Sequence, residues 1–150
     1  MLFKYVNIDG LNIFYREAGK ETAPKLVLLH GFPASSHQYR NLIPPLADRF
    51  HVIAPDYPGF GNSDMPDPAK FGYTFDKTSE IIESFLRKVG FTRFGLYAQD
   101  YGGPVGPHRH KASGLAGMAD HTEHQRLRSR LHRRVGRSAR RLLENAVARE

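Results

Sequence analysis

Apolar and polar positions follow two rhythms over the first hundred residues, and each rhythm predicts a kind of element. Phe3–Ile8 and Leu11–Glu17 are short runs rich in aromatic and β-branched residues, split by Asp9-Gly10, the dipeptide of a tight hairpin turn. Lys25-Leu-Val-Leu-Leu29 is an unbroken apolar run of strand length, as expected of a parallel strand buried on both faces, and His51–Ala54 predicts another strand. Ile81, Ile82, Phe85, Leu86 and Val89 recur instead at helical spacing, behind a capping Thr74 and ahead of Gly90, with Glu83 and Arg87 paired four apart on the outer side. A second helix is expected from Ser36 to Asp48, started by Ser35 or Ser36 and disturbed by Pro44-Pro45. Phe94–Ala98 is the fifth strand. A hairpin followed by alternating strands and helices is an α/β plan.

The strand ends carry the candidate chemistry. In Arg93-Phe-Gly-Leu-Tyr-Ala-Gln-Asp100-Tyr-Gly-Gly-Pro-Val-Gly106 a short apolar strand leads to one reactive side chain and then a glycine-rich turn into a helix. Two readings of Asp100 stand: a nucleophile on a strained elbow, with Ala98 and Gly102 small enough to let strand and helix approach, or a simple cap of the helix that follows. His30-Gly-Phe-Pro33 lies at the carboxyl end of Lys25–Leu29, the edge at which ligands bind in open α/β sheets. There a backbone N–H at or beside Phe32 can join that of Tyr101 in stabilising developing negative charge. Asp56 opens a third loop, Tyr57-Pro-Gly-Phe-Gly-Asn-Ser-Asp64, after the fourth strand. His30 and Asp56 read either as site groups or as side chains that brace their loops.

Together, His-Gly-x-Pro at 30–33, Asp-x-Pro-Gly-x-Gly-x-Ser-Asp at 56–64 and the elbow at Asp100 resemble the α/β-hydrolase fold family, and within it the haloalkane dehalogenases and epoxide hydrolases. The resemblance spans residues 1–106. It implies an incomplete α/β-hydrolase fold in which Asp100 attacks a saturated carbon bearing a halide or an epoxide oxygen, forming an alkyl-enzyme ester that water then hydrolyses. It further implies that the Phe32 and Tyr101 amides stabilise the oxyanion or leaving group, and that His30, Phe32 and Tyr101 contact a small-molecule substrate, with no cofactor and no metal. The residue type suits that chemistry, because a carboxylate of ordinary pKa about 3.9 is already ionised at neutral pH and attacks without a base. Only the hydrolytic step needs one, a late histidine oriented by an acid. The dehalogenases usually hold the halide with a tryptophan after the nucleophile and a polar partner in the His-Gly-x-Pro loop. Here those positions are Tyr101 and Phe32, and the chain has no tryptophan. The cap-domain tyrosines of epoxide hydrolases have no visible counterpart either, so the substrate stays open.

Composition then breaks at Pro107. Residues 1–106 hold 11 Lys+Arg and 11 Asp+Glu, while residues 107–150 hold 11 and 4, so the whole net charge of +7 belongs to the tail. All 17 aromatic residues precede the break and five of the eight histidines follow it. A domain boundary does not normally fall inside a helix, and a shifted reading frame accounts for the change. Back-translated and regrouped with two bases restored in front, Pro107–Gly114 reads Phe-Arg-Ile-Ala-Thr-Arg-His-Pro, a fitting continuation of the helix. Met118 before an alanine codon regroups to tryptophan. Such a shift also favours residues whose codons can begin with C or G, and 37 of 44 tail residues qualify against 62 of 106 before it.

The chain is therefore expected to comprise the first part of a hydrolase domain, residues 1–106, and a non-native basic tail, 107–150, without a defined fold. Lacking acid, histidine and cap, it is expected to be an inactive fragment, prone to aggregate along an unpaired fifth strand. Taken at face value, Leu127, Leu131, Val135, Leu142, Leu143 and Val147 offer a rival reading. With arginines between them they suggest a basic amphipathic helix for nucleic acid or a membrane surface, although Gly136 and the lack of aromatic anchors count against it. The hydrolase reading expects neither partner. His108-x-His110 and His121-x-x-His124 resemble metal spacings but lack cysteines or a matching second pair. The absence of cysteine excludes disulfides and thiol catalysis. With neither a signal peptide nor an apolar run of bilayer length, the cytoplasm is the default location.

Overall fold

The computed structural model describes residues 1–106 and, beyond them, the two-residue strand Ala116–Gly117. β1 (Leu2–Ile8) and β2 (Leu11–Ala18) form the expected antiparallel hairpin, running from Leu2 opposite Glu17 to Ile8 opposite Leu11. Asp9 and Gly10 turn the chain at φ values of 49° and 86°, the left-handed pair that matches the twist of the strands. β3 (Lys25–Leu29), β4 (His51–Pro55), β5 (Arg93–Ala98) and β6 (Ala116–Gly117) complete a mixed sheet of order β1-β2-β4-β3-β5-β6. β4 is antiparallel to β2 and parallel to β3, and β5 is parallel to β3. The fold is thus an incomplete α/β-hydrolase arrangement, an antiparallel hairpin extended by parallel strands.

The unbroken run in β3 is explained by its two covered faces. Val27 and Leu29 join a core with Ile53 of β4 and with Ile81, Ile82, Phe85 and Leu86 of α2 (Phe75–Lys88). Leu26 and Leu28 point the other way, packing with Val52 and Ala54 against Tyr39 and Ile43. In α2, Thr74 accepts a hydrogen bond from the Lys77 N–H at 3.1 Å, Arg87 meets Glu83 at 2.8 Å, and Gly90 follows the helix at φ 77°.

The single helix expected over 36–48 is instead two pieces, a 3-10 turn at Ser36–Tyr39 and α1 (Ile43–Ala47). Ser35 does start the segment, accepting from the His37 N–H at 3.2 Å. Pro44 and Pro45 have no N–H to donate to the carbonyls of Arg40 and Asn41, so a continuous helix would leave both acceptors unpaired. Prolines are tolerated only in a first turn, and α1 accordingly begins at Ile43.

β5 is not a fully open edge either. Ala116 and Gly117 pair with Arg93 and Phe94 in parallel. Beyond those two residues, Gly95–Ala98 have a partner strand on the β3 side only, among the described residues. The readings placed on the rest of the tail, from its lack of a fold to its basic helix and histidine pairs, lie outside the described residues. No described helix is long and apolar enough to cross a membrane, and no group of three His, Asp or Glu that could hold a metal occurs among the described residues.

At the amino-terminal edge of the sheet Glu17 joins three strands, receiving Lys4 Nζ at 2.6 Å and His51 Nε2 at 2.7 Å. Burial alone would raise its pKa, but the hydrogen bonds from Lys4 and His51 outweigh burial and hold it below the usual carboxylate range. A carboxylate whose folded pKa is depressed adds stability that is present above its unfolded pKa and lost as pH falls through the folded one. Unfolding in urea should therefore need less denaturant as pH drops through the carboxylate range, and Glu17→Gln should flatten that decline. An unchanged pH slope in the variant would remove Glu17 from the account.

Candidate active site

Asp100 stands where β5 gives way to α3 (Gly102–Val105). The Gln99 N–H donates to the Leu29 carbonyl at 3.1 Å, the last tie to the sheet, and Asp100 then turns through φ 50°. A non-glycine residue in the left-handed region is strained unless its surroundings fix it. The capping position of α3 is Tyr101, without any side-chain cap bond, so the simple helix-capping reading of Asp100 is not met. The carboxylate reaches instead to the end of β3, where the Phe32 N–H donates to Oδ1 at 2.9 Å. The Phe32 amide first, and the Tyr101 amide second, hold the Asp100 pKa below the usual carboxylate range. An exposed carboxylate with a depressed pKa is thus held by the Phe32 N–H across from β3.

Close approach of three backbones makes this possible. A Cβ on Gly31 would lie 2.7 Å from the Cβ of Asp100, and one on Gly102 would lie 2.5 Å from the Leu29 carbonyl oxygen. Both positions need glycine for want of space. Gly31→Ala is expected to push the Phe32 amide away from Oδ1, costing about 1–3 kcal/mol of stability from overpacking and slowing any reaction at Asp100. Urea unfolding together with the rate of covalent modification at Asp100 would check this, and a variant with unaltered values of both would contradict the contact.

His30 does not face the site. Its ring is fully buried and stacks on Tyr57 at 3.9 Å between centroids. Nδ1–H donates to the Gly31 carbonyl at 2.9 Å, while Nε2 accepts from the Tyr57 N–H at 3.3 Å. Burial lowers its pKa, in keeping with a neutral ring that uses one nitrogen as donor and the other as acceptor. With no exposed edge, His30 is placed to brace the loop, whereas Phe32 and Tyr101 are exposed beside Asp100 and stack on each other at 5.2 Å. Asp56, also fully buried, takes hydrogen bonds from the Ser36 N–H at 2.6 Å and the Asn62 N–H at 2.9 Å. It too is a brace.

A family model described as the alpha/beta hydrolase fold matches residues 24–106, more than half of the chain. The chain belongs to the α/β-hydrolase fold family. Within it the similarity runs to the haloalkane dehalogenase branch. An uncharacterized hydrolase of Saccharomyces cerevisiae is 50% identical over 98 residues, covering 65% of this chain and 33% of that protein. Haloalkane dehalogenase 2 of Mycobacterium tuberculosis is 42% identical over 93 residues, 62% of this chain and 31% of the relative. A haloalkane dehalogenase loop variant from Bradyrhizobium elkanii superimposes with a TM-score of 0.66 at 34% identity, covering 69% of this chain and 34% of that one. The chain spans about a third of the length of the curated relatives it matches.

Two residues that position the β3 end of the candidate site carry no signal of that role in the sequence. Tyr39 donates its hydroxyl to the Leu29 carbonyl at 2.7 Å, and Tyr57 donates to the His30 carbonyl at 2.8 Å. Burial raises both hydroxyls far above their ordinary pKa, so both stay protonated donors. Together they fix the chain just before Gly31 and Phe32. Tyr57 lies within a motif that was singled out, yet only the fold could disclose its target. A cavity of about 580 Å³ lies elsewhere, bordered by Lys25, Glu17, His51 and Phe91. Lys25 and His51 open the parallel strands β3 and β4, whereas Asp100 follows the end of β5, so that cavity is on the opposite edge from the carboxylate.

Proposed function

We propose that this chain carries the nucleophilic part of a hydrolase that opens carbon–halogen or epoxide carbon–oxygen bonds through an alkyl ester of Asp100. The observation that supports this most is the carboxylate of Asp100, turned through φ 50° and held at 2.9 Å by the Phe32 amide. With Oδ1 engaged, attack falls to Oδ2. The new carbon–oxygen bond forms as the carbon–halogen or ring carbon–oxygen bond breaks, and the electron pair leaves with the halide or stays on the ring oxygen, which then takes a proton from water. In the second step water adds to the ester carbonyl carbon and gives up a proton, the Phe32 and Tyr101 amides stabilise the negative charge on Oδ1, and the intermediate then collapses as the bond from that carbon to Oδ2 breaks and the alkyl group leaves as the alcohol.

That second step needs a base, and residues 1–106 offer none at the site, since His30 is buried with both nitrogens engaged. The acid, the histidine and the cap are assigned to sequence that this reading frame does not encode after Gly106. The abrupt composition change at Pro107 and the end of the family match at residue 106 both support a shifted frame there. A small-molecule electrophile is the proposed ligand and the cytoplasm the proposed setting.

Full-length chain exposed to a reactive epoxide or haloalkane should gain one adduct, mapped to Asp100 by peptide mass spectrometry, and should not turn over. Because the Asp100 pKa is depressed, its labelling rate should hold constant from neutral pH down into the ordinary carboxylate range before it falls. Adducts spread over surface carboxylates, with none at Asp100, would defeat the proposal.

A further inference from the structure

Next to Asp100 the chain exposes three rings from three separate segments. Phe32 follows β3, Tyr101 follows β5, and Phe75 is the first residue of α2; they are 58%, 37% and 43% exposed. Tyr101 stacks on Phe32 at 5.2 Å with 29° between planes, and Phe75 meets Tyr101 edge-on at 4.9 Å and 77°. The position of Phe75 follows from helical spacing. Ser79, Ile82 and Leu86 are buried along one stripe of α2, and Phe75 continues that stripe past the last turn the sheet can cover. It overhangs the carboxyl edge of the strands and finds only the Tyr101 ring among the described aromatic pairings.

The resulting ledge is carbon-rich, with a single phenolic hydroxyl, and Asp100 stands at its side. An anionic substituent would lose hydration against such a surface and meet the charge of Asp100, while an aliphatic one would gain only buried area. An aromatic ring gains that area and also edge and face contacts of the kind the three rings already make with one another. We propose that Phe75, with Phe32 and Tyr101, selects electrophiles that carry an aryl group near the reacting carbon. This inference rests on the reading of Asp100 as nucleophile and adds the class of substrate. Phe75 is its specificity-determining residue.

Phenyl, cyclohexyl and methyl glycidyl ether share the same epoxide and differ only in the remote group, so they separate recognition from reactivity. In each case an Asp100 oxygen bonds to the terminal epoxide carbon, the ring carbon–oxygen bond breaks, and the ring oxygen takes a proton from water. The product is a hydroxyalkyl ester whose added mass is that of the epoxide. In the full chain, phenyl glycidyl ether should label Asp100 about tenfold faster than the methyl ether and about threefold faster than the cyclohexyl ether. Phe75→Leu, which keeps apolar bulk without a ring, should lower the phenyl-to-cyclohexyl ratio toward one, and Phe75→Tyr should keep it. Partial unfolding of a variant lowers all three rates together, so the ratio reads recognition alone. Equal labelling by phenyl and cyclohexyl ethers in the unaltered chain, or an unchanged ratio in Phe75→Leu, overturns the aryl ledge and leaves the nucleophile standing. Absence of any adduct at Asp100 overturns the nucleophile and the ledge with it.

Discussion

Asp100→Asn is expected to lower the rate of epoxide or haloalkane labelling at position 100 by more than about a hundredfold, because a neutral amide replaces an ionised carboxylate as the attacking group. The fold should survive the change. Asparagine enters the left-handed region as readily as aspartate, so the φ of 50° adds no new strain. The Phe32 N–H also keeps an oxygen acceptor in place of Oδ1. Matching far-UV spectra and urea midpoints, set beside the lost adduct, would tie the effect to chemistry and not to structure. Persistent labelling of the asparagine variant at the same peptide would mean that another group is the nucleophile.

Asp56→Ala should have the largest effect on stability, about 3–5 kcal/mol, since it strips the acceptor from two backbone donors in a buried site. Ser36 N–H and Asn62 N–H both donate to this one carboxylate, which has no exposed surface. The surrounding space is also tight. A Cβ on Gly61, itself at φ 54°, would collide with Oδ2, so the loop closes directly on the carboxylate. Losing it frees the segment that carries Tyr57, whose hydroxyl steadies the His30 carbonyl just ahead of Gly31 and Phe32. Labelling at Asp100 should slow along with the fall in urea midpoint. A loss of less than about 1 kcal/mol would show that other contacts carry the loop.

The elements that the sequence made legible are those whose causes lie within a dozen residues. Asp9-Gly10 dictates a hairpin because its two residues must both take positive φ. Thr74 and the spacing of Ile81, Ile82, Phe85 and Leu86 dictate a capped helix with one buried face, and α2 has both. The same local logic faltered at Ser36–Asp48, where the apolar spacing of a helix competed with two consecutive prolines and the chain divided. The prolines were in view. What the pattern could not weigh was how much of the segment the β4 face would still hold in place.

The candidate site was legible in its residues and not in its arrangement. Asp100, Phe32 and Tyr101 were identifiable from motif and spacing, because an elbow needs small neighbours and a reactive side chain in a fixed order. His30 belongs to the same motif, yet its ring turns inward to Tyr57, a choice made by the stacking partner that folding supplies. The meeting of Asp100 with Phe32 spans 68 positions, and it exists only because β3 and β5 are neighbours. Likewise the ring of Phe75 reaches Tyr101 only once α2 has docked. By itself, then, the sequence determined the hairpin, the capped helix, the α/β plan and the candidate residues of the site, since these depend on covalent geometry and short-range spacing. Strand order, the insertion of β4 between β2 and β3, and the meeting of the Phe32 amide with the Asp100 carboxylate were decided by tertiary packing, because burying both faces of β3 at once is a property of the assembled sheet.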